Sequence, residues 1–252
     1  MLKVRIMPTL LYRDYELVKG VGFDSWRGIG SAMQAIRVYN MREVDELIFL
    51  DITATREERE PDFELIDDLA DECFMPLTVG GGIRSLEDVR RLLDVGADKV
   101  AINSEAVRNP ELIREVAQRF GAQCVVVSID VRKHASGQYE IFTHSGNRAT
   151  GVDPVVFAKE AVRLGAGEIL LTSIERDGAM EGYDLELIQQ VSGAVDIPVI
   201  ASGGAGNYED LYKALTSGKA TAVAAASIFH FTEQTPLAAK EYLHDKGIPV
   251  RF

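Results

Sequence analysis

Short apolar runs rich in β-branched residues recur along this chain, and between them lie longer stretches whose apolar positions return every three or four residues. The runs read as strands at residues 4–10, 47–51, 77–79, 99–102, 124–130, 169–172, 199–201 and 222–225. The intervening stretches read as amphipathic helices. In residues 85–96 (SLEDVRRLLDVG), Ser85 with Asp88 three residues on marks a helix start, and Gly96 marks its end. Eight strands alternating with helices predict an α/β fold, a (β/α)8 barrel with a closed parallel sheet.

The strand starts are spaced by 43, 30, 22, 25, 45, 30 and 23 residues, so the second half of the chain nearly repeats the first. A shift of 122 positions lays residues 76–88 (PLTVGGGIRSLED) on residues 198–210 (PVIASGGAGNYED) and pairs Glu46 with Glu168. This is an internal duplication. Residues 1–252 are expected to form one barrel domain of two half-barrels, about 1–122 and 123–252, with two similar sites on the rim at the C-terminal ends of the strands.

Composition narrows the partners. The chain has 252 residues, 46% of them hydrophobic, enough for a large core. With 27 Lys+Arg against 39 Asp+Glu the net charge is −12, which gives no broad positive surface for nucleic acid or an anionic membrane. The N-terminal segment MLKVRIMPTLLYRDYELVKG turns polar too early for a secretory signal, and no apolar run is long enough to cross a membrane. A cytoplasmic protein is expected. Cys73 and Cys124 read as buried thiols, the four histidines have no metal-ligand spacing, and neither metal nor cofactor is predicted.

Glycines follow the third strand of each half, at Gly80, Gly81 and Gly82 and at Gly203 and Gly204, and small or polar residues follow the fourth, at Asn103 and Ser104 and at Ser227. Glycine lets backbone N–H groups approach an anion closely, so two such loops form two phosphate cradles without a basic patch. One glycine loop alone would equally serve a tight turn. Its recurrence at the same place in both halves favours an elongated ligand with two phosphates.

Asp130 ends the fifth strand, where barrels keep catalytic carboxylates. Asp51, ending the second, and Asp177, after the sixth, read equally as rim chemistry or as loop ties. At the opposite ends of strands stand Arg5, Glu46, Lys99 and Glu168. Two cations and two anions there form either a solvated rim of salt bridges or a polar gate in the barrel floor. Residues 133–146 read as a hairpin over the mouth, turning at Ser136 and Gly137. The glycine-rich residues 19–30 read as a lid, with Trp26 inside it and Lys19 or Arg27 reaching a ligand phosphate.

The motifs at residues 45–55 (DELIFLDITAT), 76–84 (PLTVGGGIR), 96–107 (GADKVAINSEAV), 125–130 (VVVSID), 142–151 (FTHSGNRATG), 165–178 (GAGEILLTSIERDG), 182–184 (GYD) and 200–206 (IASGGAG) resemble the cyclase subunit of imidazole glycerol phosphate synthase, of histidine biosynthesis. The resemblance covers essentially the whole chain. It implies a barrel that takes ammonia from a separate glutaminase docked at the floor, through a gate at Arg5, Glu46, Lys99 and Glu168, with Asp98 touching the glutaminase. It also implies phosphate contacts at Gly82, Asn103 and Ser104 in one half, and at Asp177, Gly178, Gly203, Gly204 and Ser227 in the other. The substrate of the family is a ribulosyl aminoimidazole carboxamide nucleotide with two phosphates.

The sequence departs from that family at its chemistry. Cyclases carry two aspartates, one after the first strand and one after the fifth; here Asp130 keeps the second, but Leu11 stands at the first. Leucine exchanges no proton. Asp14 lies three residues on, in a turn, as a possible substitute. Residues 28–32 (GIGSA) also lack the acidic residue of the family's lid. Two readings follow from the resemblance: a histidine-pathway cyclase with an altered acid, or, favoured by Leu11, a divergent paralogue. Such paralogues share a Pro-x-Leu-Leu motif, here Pro8 to Leu11, and supply ammonia for sugar amidination in surface polysaccharides through a third, ATP-dependent protein. A plain phosphosugar isomerase would have no need of the four floor charges.

Overall fold

A nine-residue strand opens the chain and carries six buried hydrophobic residues among its nine positions, Ile6, Met7, Leu10, Leu11 and Tyr12 with Pro8, so both of its faces must be covered. The structure, a computed structural model, describes residues 3–42 and 44–252; Met1, Leu2 and Glu43 lie outside them, and with them the first two residues of the N-terminal reading. The first half comprises β1 (Arg5–Arg13), β2 (Glu16–Val21), β3 (Asp24–Gly30), α1 (Ala32–Met41), β4 (Leu47–Asp51), α2 (Phe63–Glu72), β5 (Leu77–Gly80), α3 (Leu86–Asp94), β6 (Lys99–Ile102), α4 (Ser104–Arg108) and α5 (Glu111–Phe120). After a short 3-10 turn, Ala122–Cys124, the second half follows. It comprises β7 (Val125–Lys133), β8 (Tyr139–Thr143), β9 (Arg148–Ala149), α6 (Pro154–Leu164), β10 (Glu168–Ser173), α7 (Leu185–Ser192), β11 (Val199–Ser202), α8 (Tyr208–Thr216), β12 (Ala222–Ala225), α9 (Ser227–Phe231) and α10 (Pro236–Asp245).

Strands β1, β4, β5, β6, β7, β10, β11 and β12 pair in parallel in that order, and β12 returns to β1, so the barrel closes. It is the expected (β/α)8 barrel. The helices turn apolar stripes to the outside of the wall: Val89 and Leu92 of α3 are fully buried there. Truncating Leu92 to alanine would cost about 2–5 kcal/mol in such a core. Among the described residues, no helix is long and apolar enough to cross a membrane.

The two halves present the same series of elements, and the likeness extends to side chains. Ser85 accepts from the Asp88 N–H while Asp88 accepts from the Arg84 N–H; 122 positions on, Asn207 accepts from the Asp210 N–H while Asp210 accepts from the Gly206 N–H. In both halves the first strand outruns the barrel and folds into a hairpin, β1 with β2 and β7 with β8. The strand expected to end at residue 10 therefore continues to Arg13, because Leu11 pairs with Val18 across a tight turn in which Asp14 and Tyr15 adopt positive φ. Asp14 sits at the exposed tip, bonded to Arg13, and is not placed to replace a carboxylate in the mouth. The 133–146 hairpin leans outward on α7, with Tyr139 and Lys133 bonded to Asp184 and Glu186; only its return, at Ser145, reaches the mouth. Cys124 is buried as expected, whereas Cys73 is half-buried and its thiol donates to the Met75 carbonyl.

Candidate functional site

Because every strand points the same way, the last residues of all eight converge on one rim. There they line an open cavity, with Leu11, Asp130 and Thr172 in its wall, Gly82 and Ser104 on one side and Gly178, Gly203 and Ser227 on the other. The two glycine loops anticipated from the repeat thus border a single space. In this cavity Gly81 and Gly203, which correspond by the 122-residue shift, take φ of +110° and +84°. A side chain on Gly203 would lie 2.6 Å from the Ser173 carbonyl, and one on Gly81 would lie 2.2 Å from that of Asp51. The loops can pack this closely on their neighbours only because these positions carry no Cβ.

Asp130 lines the same cavity as both glycine loops. Asn103 donates to its carboxylate at 3.1 Å and to the Ser128 carbonyl at 3.1 Å, so the amide expected to serve a phosphate also holds this carboxyl. Enclosure by the cavity wall pushes Asp130 up to about 7, the nearby Asp177 carboxylate adds to the effect, and bonds from Asn103 and Thr172 oppose it. Such a carboxyl is near half-protonated at neutral pH and is suited to give or take a proton.

Opposite it stands Leu11. On the ladder between β1 and β4, Leu11 pairs with Leu50; on the ladder between β7 and β10, Asp130 pairs with Thr172, which is Leu50 shifted by 122. Leu11 and Asp130 therefore hold corresponding places in the two halves.

Other candidate residues are placed as follows. Asp51 is a loop tie that also borders the cavity: one oxygen accepts from the N–H groups of Thr53 and Ala54 and the Thr53 hydroxyl, and the other accepts from Arg59. Asp177 lies 2.5 Å from the Lys19 ammonium, and Lys19 is buried. This ion pair fastens the β2–β3 hairpin across the mouth, reinforced by the Gly22 N–H on the Asp177 carbonyl. Gly178 is packed so closely beneath Gly20 that a Cβ would lie 2.0 Å from its carbonyl. The glycine thus serves the docking of the hairpin as well as the loop. Trp26 borders the cavity, and Arg27 stacks on Phe231 at 3.6 Å. Ser104 accepts from the His144 N–H, and the Ser227 hydroxyl is buried without a partner. Sequence reading gave His230 no role. Burial pushes its imidazole down to about 4, and it packs beside Tyr39.

At the other end of the barrel the four charges form a closed ring. Arg5 donates to Glu46 at 2.8 Å and to Glu168 at 2.9 Å; Lys99 donates to the same two carboxylates at 2.8 and 2.9 Å. Burial alone would lower the Arg5 guanidinium, but bonds and attraction from Glu168 and Glu46 outweigh it and raise it. All four side chains are more than four-fifths buried, so this is a plug across the axis rather than a solvated rim. Met7, Ile48, Val126, Leu170 and Ile200, with small Ala101, Ala222 and Ala224, fill the barrel between ring and mouth. Asp98 is exposed at the floor and accepts from the Leu77 N–H at 2.8 Å.

A closed eight-stranded barrel with paired glycine loops agrees with one further finding: a family model described as "Histidine biosynthesis protein" matches residues 5–235. The chain belongs to that family. Its members are barrel enzymes of lyase and isomerase type, and in this member the match runs from the floor charge Arg5 past the second glycine loop and α9.

Proposed function

We propose that this protein is a cyclase-subunit-like member of the histidine biosynthesis family that receives ammonia from a separate glutaminase subunit docked around Asp98, through a gate at Arg5, Glu46, Lys99 and Glu168. The observation that carries this reading is the ring of four bonded charges across the barrel floor. Charged groups in a core are costly, and a packed apolar floor would be the more stable solution. Paired charges can part for a small polar molecule and close behind it. An isomerase barrel working on one substrate at its mouth has no use for such a floor.

At the mouth, the two glycine loops would hold the ends of a bisphosphate, through Gly82, Asn103 and Ser104 on one side and Gly178, Gly203, Gly204 and Ser227 on the other, with Asp177 anchoring the lid through Lys19. Asp130, its carboxyl raised by burial, would then stand between them. Leu11 favours a divergent paralogue, one that supplies ammonia for sugar amidination in surface polysaccharide synthesis and passes it to a third, ATP-dependent protein in the cytoplasm. Cyclisation needs an acid and a base, and the place that matches Asp130 in the other half is apolar. The second reading, a cyclase that makes imidazole glycerol phosphate and aminoimidazole carboxamide ribotide, is favoured by the intact cradles and by the raised Asp130.

Two assays test these readings. Purified protein given the ribulosyl nucleotide and ammonium salts at high pH is expected to turn over slowly or not at all; turnover at the pace of an ordinary cyclase would remove the paralogue reading. Mixed with a glutaminase subunit encoded beside it, the protein is expected to form a complex and raise glutamine hydrolysis. Failure of both would remove the ammonia reading.

A further inference from the structure

The two halves of the barrel match closely at the mouth but not at the floor. Between β7 and β10 the backbone ladder runs down to Glu168 opposite Val126, and the Gly167 N–H continues it onto the Val125 carbonyl. That seam is so tight that a Cβ on Gly167 would lie 2.0 Å from the Ala122 carbonyl. Between β1 and β4 the ladder begins only at Thr9 opposite Ile48. The pairs that would correspond to the lowest two of the other seam, Pro8 with Leu47 and Met7 with Glu46, are not made.

Pro8 accounts for the gap. Residues of a parallel strand turn their hydrogen-bonding groups alternately to one neighbour and the other. Tyr12 turns to β4, where its carbonyl accepts from Ile52, and so does every second residue below it: Leu10, Pro8, Ile6. Proline has no N–H, so the ladder loses its donor at this rung. The next donor, the Ile6 N–H, reaches instead to the Asp45 carboxylate at 2.9 Å. The other oxygen of Asp45 lies 2.9 Å from the Lys240 ammonium of α10, and both side chains are at most 3% exposed. Asp45 stands where Gly167 stands in the other half. A carboxylate anchored from outside the barrel thus does at this seam what close backbone packing does at the other.

These contacts flank the ring: Ile6 follows Arg5, and Asp45 precedes Glu46. We propose that the floor opens at this seam, that Glu46 is its moving leaf while Glu168 stays fixed, and that Asp45 with Lys240 is the latch that positions Arg5 against Glu46. The proposal rests on the gate reading of the ring and adds to it the direction of opening. Opening breaks the Arg5–Glu46 and Lys99–Glu46 bonds together; both cations keep Glu168 as partner, and Glu46 alone gives up its two ring partners as it moves.

The test uses the full chain without any partner. Brief reductive methylation with labelled formaldehyde and a borohydride reductant, read by NMR or by peptide mass, reports how often Lys99 is free, and amide exchange at Ile6 and at Gly167 reports the two seams separately. Asp45→Ala is expected to speed Lys99 methylation and Ile6 exchange about tenfold, leaving Lys213 and Gly167 as they were. Pro8→Ala, which returns a ladder donor, is expected to slow both. Should Asp45→Ala fail to fold, the neutral pair Asp45→Asn with Lys240→Met keeps an acceptor for Ile6, removes the ionic anchor, and is expected to lie between. Unchanged Lys99 labelling with the latch removed, or equal loosening at Ile6 and Gly167, would overturn the proposal. A floor that moves as expected in a chain that never couples to a glutaminase would uphold the hinge and count against the gate reading alone.

Discussion

Leu11 and Asp130 hold corresponding places in the two halves of the barrel, and the rim of the cavity is therefore symmetric in backbone and asymmetric in chemistry. Leu11→Asp would restore a second carboxyl. Leu11 is buried, so the change is expected to lower stability by about 1–3 kcal/mol. Two like charges facing one cavity would also raise the apparent titration of Asp130. Under the paralogue reading, ammonia-dependent turnover of the ribulosyl nucleotide should rise by about tenfold or more over the unmodified chain.

Asp130 makes a signed prediction about pH. Its carboxyl is raised from an ordinary value of 3.8 to about 7, so the folded chain holds a proton that the unfolded chain releases. The contribution of Asp130 to stability is then fully present below pH 4 and is lost as pH rises through 7. Asp130→Asn removes the ionisable group. It is expected to stabilise the protein by about 1–3 kcal/mol at pH 8 relative to its effect at pH 4, read from urea midpoints at the two pH values.

The Lys19–Asp177 pair ties the hairpin to the opposite half. Either Lys19→Met or Asp177→Asn alone leaves a buried group without its partner and is expected to cost about 1–3 kcal/mol. The double variant should cost less than the sum, by a coupling of about 1–2 kcal/mol in a double-mutant cycle. Limited proteolysis should cut within residues 20–30 sooner in each variant.

Gly203→Ala strains a positive φ and drives a methyl group to 2.6 Å from the Ser173 carbonyl. A loss of about 1–3 kcal/mol is expected in thermal unfolding, together with about a tenfold loss of affinity for a bisphosphate ligand in calorimetry. Gly137→Ala, also at positive φ but in open space, should affect stability by less and binding not at all.

The barrel was legible because period and spacing are local properties of a chain. All eight strand positions follow from short apolar runs, and the repeat of Pro76 to Asp88 at Pro198 to Asp210 announced two facing loops. Glycines before a helix start keep their conformational meaning in any barrel, and Gly81 and Gly203 do take positive φ. The partner of Lys19 was not legible: read as a lid residue reaching a ligand phosphate, it borders the cavity but is buried and paired with Asp177, which lies 158 residues away. Asn103 was assigned to one cradle, and only the fold brings it to Asp130.

By itself, then, the sequence determined the barrel, its duplication, the glycine loops and the presence of two cations and two anions at the floor ends of strands. Each of these is written in spacing along the chain. Tertiary structure decided that the four charges close into one buried ring, that Leu11 answers to Asp130, and that Asp45 bridges a seam left open by Pro8. Those relations depend on strand register and on which edge of a strand a hydrogen-bonding group faces. Both are set only when the sheet closes on itself.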